Sequence, residues 1–345
     1  MVKILCFHMG YAKIDSGINY GSEIALLNLA KQLKNNYEVY IFGENISLDS
    51  ELEGIHIKNS RCFTDFSSKN TIDIIIVSRY LNAFMYNTLV ARKIFIWVHD
   101  IVFQSSFNGQ NMPNNGLYFY NNISHKVDGI IVLSQYHKSR MMEYYNIPEN
   151  KIHIIGNAIN TDLFSEEVEK QQYKFIYSSY PSRGLDMLLK VFTTIKAEFA
   201  NAELYIYRDH STFTPSQLQE IAKYNYIFAP GFLKNEDLIR EFQSSNIWLY
   251  PTDFVETYCI SALEAQMAGC LCITSPLGSL SEIVGSRGVL IEGQYGSQTY
   301  IDNIIKSIRI HLNSDLYKNK IKKGKEWALQ QNWKSISEKW LALFS

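Results

Sequence analysis

Metal and disulfide chemistry have little to work with in this sequence. Its five cysteines, Cys6, Cys62, Cys259, Cys270 and Cys272, form no Cys-x-x-Cys pair, so neither a zinc site nor a disulfide framework is signalled. Cys270 and Cys272 alternate with Leu271 and Ile273 and read as core thiols of a strand. No Asp-x-Asp pair is present, and no essential metal is expected. No Gly-x-Gly-x-x-Gly follows the first strand, which argues against a nicotinamide-dependent dehydrogenase. Long apolar runs are missing too, since none approaches the ~20 residues of a membrane-spanning helix. Residues 1–8 form a short apolar strand with no small-residue cleavage site after it, unlike a signal peptide. Excess charge is absent in both directions, with 33 Lys and Arg against 34 Asp and Glu. That balance sets up no long-range field for nucleic acid and no polybasic block for a membrane. Only peripheral membrane contact through a local basic surface stays open. A reduced, cytoplasmic protein is the expectation.

What the chain does have is apolar strands in regular alternation with amphipathic stretches. Its 345 residues, 46% hydrophobic and 19% charged, suit about two globular domains of the usual ~100–200 residues. Residues 74–77, 94–98 and 130–133 are apolar without a polar residue at every second position. Such strands are buried on both faces, which means a parallel sheet covered by helices. Amphipathic segments lie at 22–33 and 136–145, and the rhythm recurs at 174–177, 203–207, 226–229, 247–250 and 271–274. Two doubly wound, Rossmann-like α/β halves are predicted.

Chemistry concentrates in Pro251-Thr252-Asp253-Phe254-Val255-Glu256-Thr257-Tyr258-Cys259-Ile260-Ser261-Ala262-Leu263-Glu264-Ala265-Gln266-Met267-Ala268-Gly269. The strand 247–250 precedes Glu256 in a loop, and Glu264 is placed two turns into a helix ending at Gly269. A helix N-terminus offers unpaired amides and the positive end of a dipole, so it can hold an anion. Carboxylates bind hydroxyls attached to phosphate rather than phosphate itself. A helix mouth flanked by two of them therefore suits a sugar nucleotide. A solvated pair, with Glu256 merely capping the helix, is the bland alternative.

The run from Pro251 to Gly269 continues through Gly278 to Glu282. As a whole it resembles glycosyltransferase family 4, the retaining transferases of the GT-B fold, whose signature is Glu, seven residues, Glu. That resemblance extends over nearly the whole chain and implies two Rossmann-like domains facing across a cleft. Residues 1–160 with a returning helix at 330–345 would form the acceptor side, and 173–329 the nucleotide-sugar side. The polar segment 161–172 reads as the linker, following Gly156-Asn157-Ala158-Ile159-Asn160-Thr161-Asp162-Leu163-Phe164, which is similar to the family's domain junction.

Other positions take their roles from the same resemblance. Gly17-Ile18-Asn19-Tyr20-Gly21-Ser22-Glu23 is similar to the family's Gly-Gly-x-Glu, with Tyr20 replacing the first Gly. Gly21 would let backbone approach the donor, while Glu23 reads equally as a favourable first-turn acid. His99, ending an apolar strand, would bind a sugar hydroxyl or position the reacting oxygens, with Asp100 orienting it or tying down the loop. In Tyr177-Ser178-Ser179-Tyr180-Pro181-Ser182-Arg183-Gly184, Arg183 takes the place of the family's Lys. Ser178 and Ser179 stand where Gly-Arg is common, so one diphosphate cation is missing. Tyr258, Cys259 and Ile260 would turn their amides to the diphosphate, Glu264 would hold the ribose, and Glu256 the transferring sugar. Gly231, Phe232 and Leu233 would cup the base.

A retaining, metal-independent hexosyltransferase is the resulting expectation. It would use a UDP-, GDP- or other NDP-sugar as substrate, no cofactor, and a glycan, lipid-linked or protein-linked acceptor. With no second carboxylate evident at ~5–5.5 Å across the bond, a covalent intermediate is not predicted. A GT-B sugar-nucleotide epimerase and a catalytically inert nucleotide-sugar or glycan binder are the alternatives, the latter because of the departures at Tyr20, Ala158, Ser178, Ser179 and Cys259.

Overall fold

Ile74, Ile75, Ile76 and Val77 are apolar in succession because the strand they form is covered on both faces. A computed structural model of the protein describes residues 2–10, 21–85, 88–104, 106–107, 110–111, 120–312 and 314–345, with backbone alone at 106–107 and 110–111. The chain divides into two units, Met1–Ala158 with Trp333–Ser345, and Ile159–Asn332. Residues 17–20 of the first glycine-containing turn lie outside the described residues.

The first unit holds strands β1 (Ile4–Met9), β2 (Glu38–Gly43), β3 (Ser50–Leu52), β4 (Ile55–Asn59), β5 (Ile74–Ser78), β6 (Lys93–Trp97), β7 (Ser106–Phe107), β8 (Gln110–Asn111), β9 (Gly129–Val132) and β10 (Ile152–Ile154). Eight of them make one sheet in the order β10-β9-β6-β5-β1-β2-β4-β3, while β7 and β8 form a separate short ladder. Every neighbour in the sheet is parallel except β3, which pairs antiparallel with β4. The order reverses at β1 and β5, the point where an open α/β sheet leaves a crevice beyond its strand ends. Helix Gly21–Leu33 leaves β1 at that edge. Helix Trp333–Phe344 packs on this sheet, with Trp340 edge-on to Trp97 at 5.1 Å and Phe344 against Phe95 at 5.6 Å. Lys93 Nζ donates to the Phe344 carbonyl at 2.9 Å, a cation on the helix's negative end.

The second unit holds β11 (Gln171–Tyr177), β12 (Glu203–Ile206), β13 (Ile227–Phe228), β14 (Ser245–Tyr250), β15 (Leu271–Thr274) and β16 (Val289–Leu290). They run parallel in the order β13-β12-β11-β14-β15-β16, the Rossmann arrangement counted from β11. Its reversal lies at β11 and β14, the strands that lead to Arg183 and Glu256.

Residues 161–172 are not a free linker but part of this second unit. Thr161–Phe164 makes a 3-10 turn, and β11 already begins at Gln171. Gln243 Nε2 donates to the carbonyls of Phe164 at 3.3 Å and Glu166 at 2.6 Å, which ties the polar stretch down. Polarity of side chains said linker, whereas the backbone is bonded. Among the described residues, no helix is long and apolar enough to cross a membrane.

Candidate active site

In the second unit the strand β14 ends in Tyr250, and six residues later Glu256 turns back towards it. The Tyr250 hydroxyl donates to Glu256 Oε1 at 2.8 Å, and Arg183 Nη1 donates to the same oxygen at 3.1 Å. Glu256 is only 5% exposed. Burial raises its carboxyl above the ordinary carboxylate range, while the Arg183 charge and both hydrogen bonds pull towards the ionised form. Arg183 is affected in the matching sense. Burial works against its charge most, but Glu256, Tyr250 and Cys259 together outweigh burial and the guanidinium pKa is raised. Its guanidinium also lies 4.0 Å from the centre of the Phe254 ring.

Two glycines make this arrangement possible. Gly278 has φ +60°, and a Cβ there would lie 2.4 Å from the Glu256 carbonyl oxygen and 2.8 Å from its amide nitrogen. Ser279 N donates to that same carbonyl at 2.8 Å, so the Glu256 backbone is clamped from one side. Gly184 has φ +100°, and a Cβ there would meet the Pro251 carbonyl at 2.1 Å. The turn carrying Arg183 therefore lies directly on the loop that carries Glu256.

The helix after this loop spans Ile260–Met267, beginning later than the sequence suggested. Cys259, at φ −102° and ψ 96°, is its extended N-cap and makes no side-chain cap. Residues 256–259 are held in the clamped loop, which delays the first helical turn and puts Glu264 one turn in rather than two. The amides of Tyr258, Cys259 and Ile260 donate to no described residue. They stand open at a positive helix end. Glu264 is part-buried, its carboxylate takes no hydrogen bond from a described residue, and burial pushes its carboxyl up to about 7. Gly231 has φ +106° with open space around it, Phe232 beside it is 59% exposed, and Leu233 packs on the core.

The first unit carries its own constellation at the β1/β5 reversal. Ser78 Oγ lies 3.2 Å from His99 Nε2, and the His99 ring packs on Trp97 at 4.5 Å. Burial first, then the charges of Arg79 and His137, hold His99 well below the usual histidine range, so it is neutral at pH 7. The Asp100 carboxylate takes Arg79 Nε at 2.8 Å and Arg79 Nη2 at 3.3 Å, which ties down the loop after β6. Arg79 Nη1 also donates to Ser22 Oγ at 3.3 Å, and Ser22 donates to the buried Glu23 at 2.9 Å. His137 Nδ1 accepts from Leu133 N at 3.3 Å, which leaves its Nε2–H to donate to the Asp100 carbonyl at 2.9 Å. Gly21 opens the helix that carries Ser22 and Glu23 and is exposed.

Sequence reading missed Arg79 and Arg208, both at strand ends on the ligand edge of their sheets. Arg79 adopts a left-handed φ of +65°, which a bulky residue rarely does. Among the described residues no group of three or more His, Cys, Asp or Glu is placed to hold a metal ion.

Family models described as Glycosyltransferase Family 4 and as Glycosyl transferases group 1 match residues 20–163 and 173–309, one in each unit. The chain belongs to glycosyltransferase family 4. Solved GT-B glycosyltransferases share its fold. Sucrose-phosphate synthase of Thermosynechococcus elongatus superposes with TM-score 0.79 at 14% identity over 98% of both chains. Anabaena HepE, solved with UDP and glucose, gives 0.75 at 14% identity over 99% of both. Among curated sequences, this family 4 chain is 23% identical to an uncharacterized 41.2 kDa protein in the cps region of Klebsiella pneumoniae, over 52% of each chain. It is 20% identical to a serotype-specific mannosyltransferase of Escherichia coli over 50% of its own length and 24% of that protein's. The match thus spans about half or less of these curated relatives.

Proposed function

We propose that the protein is a retaining glycosyltransferase that moves a hexosyl group from a nucleotide sugar to a hydroxyl of a glycan, lipid-linked or protein-linked acceptor. The observation that carries this reading is Glu256, clamped through its backbone by Gly278 and Ser279 and aimed beside Arg183 at an uncapped helix N-terminus. The open amides of Tyr258, Cys259 and Ile260 and the Arg183 guanidinium take the diphosphate, whose charge grows as it leaves. Glu264, unpartnered and one turn along the helix, accepts the ribose hydroxyls. Glu256 accepts a hydroxyl of the transferring sugar and stabilises the positive charge that develops on its ring. The bond from the anomeric carbon to phosphate oxygen breaks, a bond to the acceptor oxygen forms on the same face, and the departing phosphate oxygen takes the acceptor proton. In the first unit, the neutral His99 imidazole hydrogen-bonds a sugar hydroxyl. The exposed Phe232 lies against the base.

A donor of this class is supported by the UDP and glucose held in the HepE structure. The enzyme is proposed to need no metal and to work in the cytoplasm, in keeping with unpaired cysteines and the lack of an Asp-x-Asp pair. Screening UDP-, GDP-, ADP- and dTDP-sugars by thermal unfolding finds the donor, since a ligand at 100 times its Kd stabilises by about 2.7 kcal/mol. Transfer with that donor should then release nucleoside diphosphate in step with a glycosylated product of unchanged anomeric configuration, equally in EDTA. Conversion of the donor to another nucleotide sugar without acceptor would replace this reading with an epimerase.

A further inference from the structure

Charge in the donor site, as built from Arg183 alone, does not balance. Arg183 is already 3.1 Å from the Glu256 carboxylate, so the pair together brings no net charge to an incoming diphosphate. Ser178 and Ser179, which follow β11, add none.

The neighbouring strand supplies a second guanidinium. β12 lies beside β11 in parallel register, with Tyr177 opposite Ile206, and Tyr207 N donates to the Tyr177 carbonyl at 3.0 Å. Arg208 therefore leaves the sheet at the same edge as the turn from Tyr177 to Arg183. Its guanidinium lies 5.1 Å from the centre of the Tyr180 ring. That turn is pinned from beneath, because the Tyr177 hydroxyl donates to the carbonyls of Tyr180 at 2.8 Å and Arg183 at 3.4 Å. Burial raises the Tyr177 pKa, and the charges of both Arg183 and Arg208 act against it, so both cations lie in the neighbourhood of the one hydroxyl. Asp209, next in the chain, is engaged locally with Ser211 N at 2.8 Å and Ser211 Oγ at 2.7 Å. His210 is turned to the Ala229 carbonyl at 2.8 Å.

We propose that Arg208 is the second cation of the donor site and grips the diphosphate of the nucleotide sugar together with Arg183. The inference rests on the donor reading above and assigns its missing positive charge. Stacking on Tyr180 holds the planar fork in place, and that fork matches two phosphate oxygens at once. The competing role is packing alone, with Arg208 covering the Tyr180 ring.

Calorimetric titration separates the two. Wild type, Arg208→Gln, Arg208→Lys and Arg183→Gln are titrated with UDP, GDP, ADP and dTDP, and with the nucleoside of whichever diphosphate binds. Arg208→Gln should weaken the diphosphate roughly ten- to hundredfold, as for loss of a charge-assisted hydrogen bond, and leave the nucleoside nearly unchanged. Arg208→Lys should recover part of that loss, and it also carries the test if the Gln variant folds poorly. Undiminished diphosphate affinity in Arg208→Gln, with a clear loss in Arg183→Gln, overturns the role of Arg208 and leaves the donor site standing. Equal losses for diphosphate and nucleoside overturn it as well, in favour of packing. Wild type that binds none of the four diphosphates overturns the donor reading and this one together.

Discussion

Between about pH 4.5 and pH 7, Glu264 holds a proton in the folded chain that it would release in the unfolded one. The folded state then binds more protons, so this residue's contribution to stability falls as pH rises through that window. Glu264→Gln removes the titrating group. Urea denaturation at pH 5 and pH 7.5 should show wild type losing ground to the variant at the higher pH, and an identical difference at both would contradict the shifted carboxyl. With Glu264 holding the ribose as proposed, its hydroxyls donate to the ionised form, so nucleotide binding by wild type should tighten over the same rise in pH, and in Glu264→Gln it should not. Glu256 should behave differently. Glu256→Gln should cut turnover by about a hundredfold or more, as for loss of a group that stabilises developing charge, while nucleoside diphosphate affinity is kept or tightened because Arg183 is no longer neutralised. Near-normal turnover with a verified donor and acceptor would remove Glu256 from the chemistry. The places of both carboxylates, one after β14 and one on the next helix, were legible because their spacing and the glycines after them lie within one stretch of sequence. Arg79 and Arg208 were not, because their places depend on which strands are neighbours. β12 flanks β11 and β5 flanks β1, and nothing within either local segment says so.

Elements carry the second kind of constraint. The strand at residues 271–274 was legible to the residue, since Leu271, Cys272, Ile273 and Thr274 are all buried. β2, β3 and β4 were not singled out, because Glu38, Tyr40 and His56 interrupt the apolar pattern and β3 is exposed throughout. The late start of helix Ile260–Met267 was hidden for another reason. Placing Glu264 two turns into a helix starts that helix near Glu256, but the Glu256 carbonyl is committed to Ser279, twenty-three residues on. Gly278→Ala tests that clamp. Its Cβ cannot fit beside the Glu256 backbone, and the positive φ adds strain, so a loss of roughly 1–3 kcal/mol is expected along with most of the turnover. Gly54→Ala is the control, with a positive φ but open space in a turn of the first unit, and it should lose stability through strain while keeping the Glu256 geometry. Denaturation paired with transfer assays distinguishes them, and a Gly278→Ala enzyme of full activity would show that the clamp is dispensable.

At the scale of the whole molecule, the two-unit division was legible from the repeated strand–helix rhythm, and the linker was not. Its side chains are polar like those of a tether, yet Gln243 fixes its backbone. The returning helix was recognised from Trp340, Leu341 and Phe344, and its packing on the first unit makes a sharp prediction. Trp340 is fully buried against Trp97, so Trp340→Ala should cost about 3–5 kcal/mol there. Hydrogen exchange should speed up in β5 and β6 and stay unchanged in β11 and β14. Uniform acceleration across both sheets would instead mean that the units unfold as one.

That helix also sets a timetable for synthesis. Domains fold as units while the chain emerges, usually the earlier one first. Here the first unit's sheet is made early, but the helix bearing Trp340 reaches it only after all of residues 159–332 have been translated. The unit that begins later in the chain can therefore finish before the one that begins it. Until residues 333–344 have emerged, Trp97 and Phe95 wait without their cover, an apolar face open to a ribosome-bound chaperone.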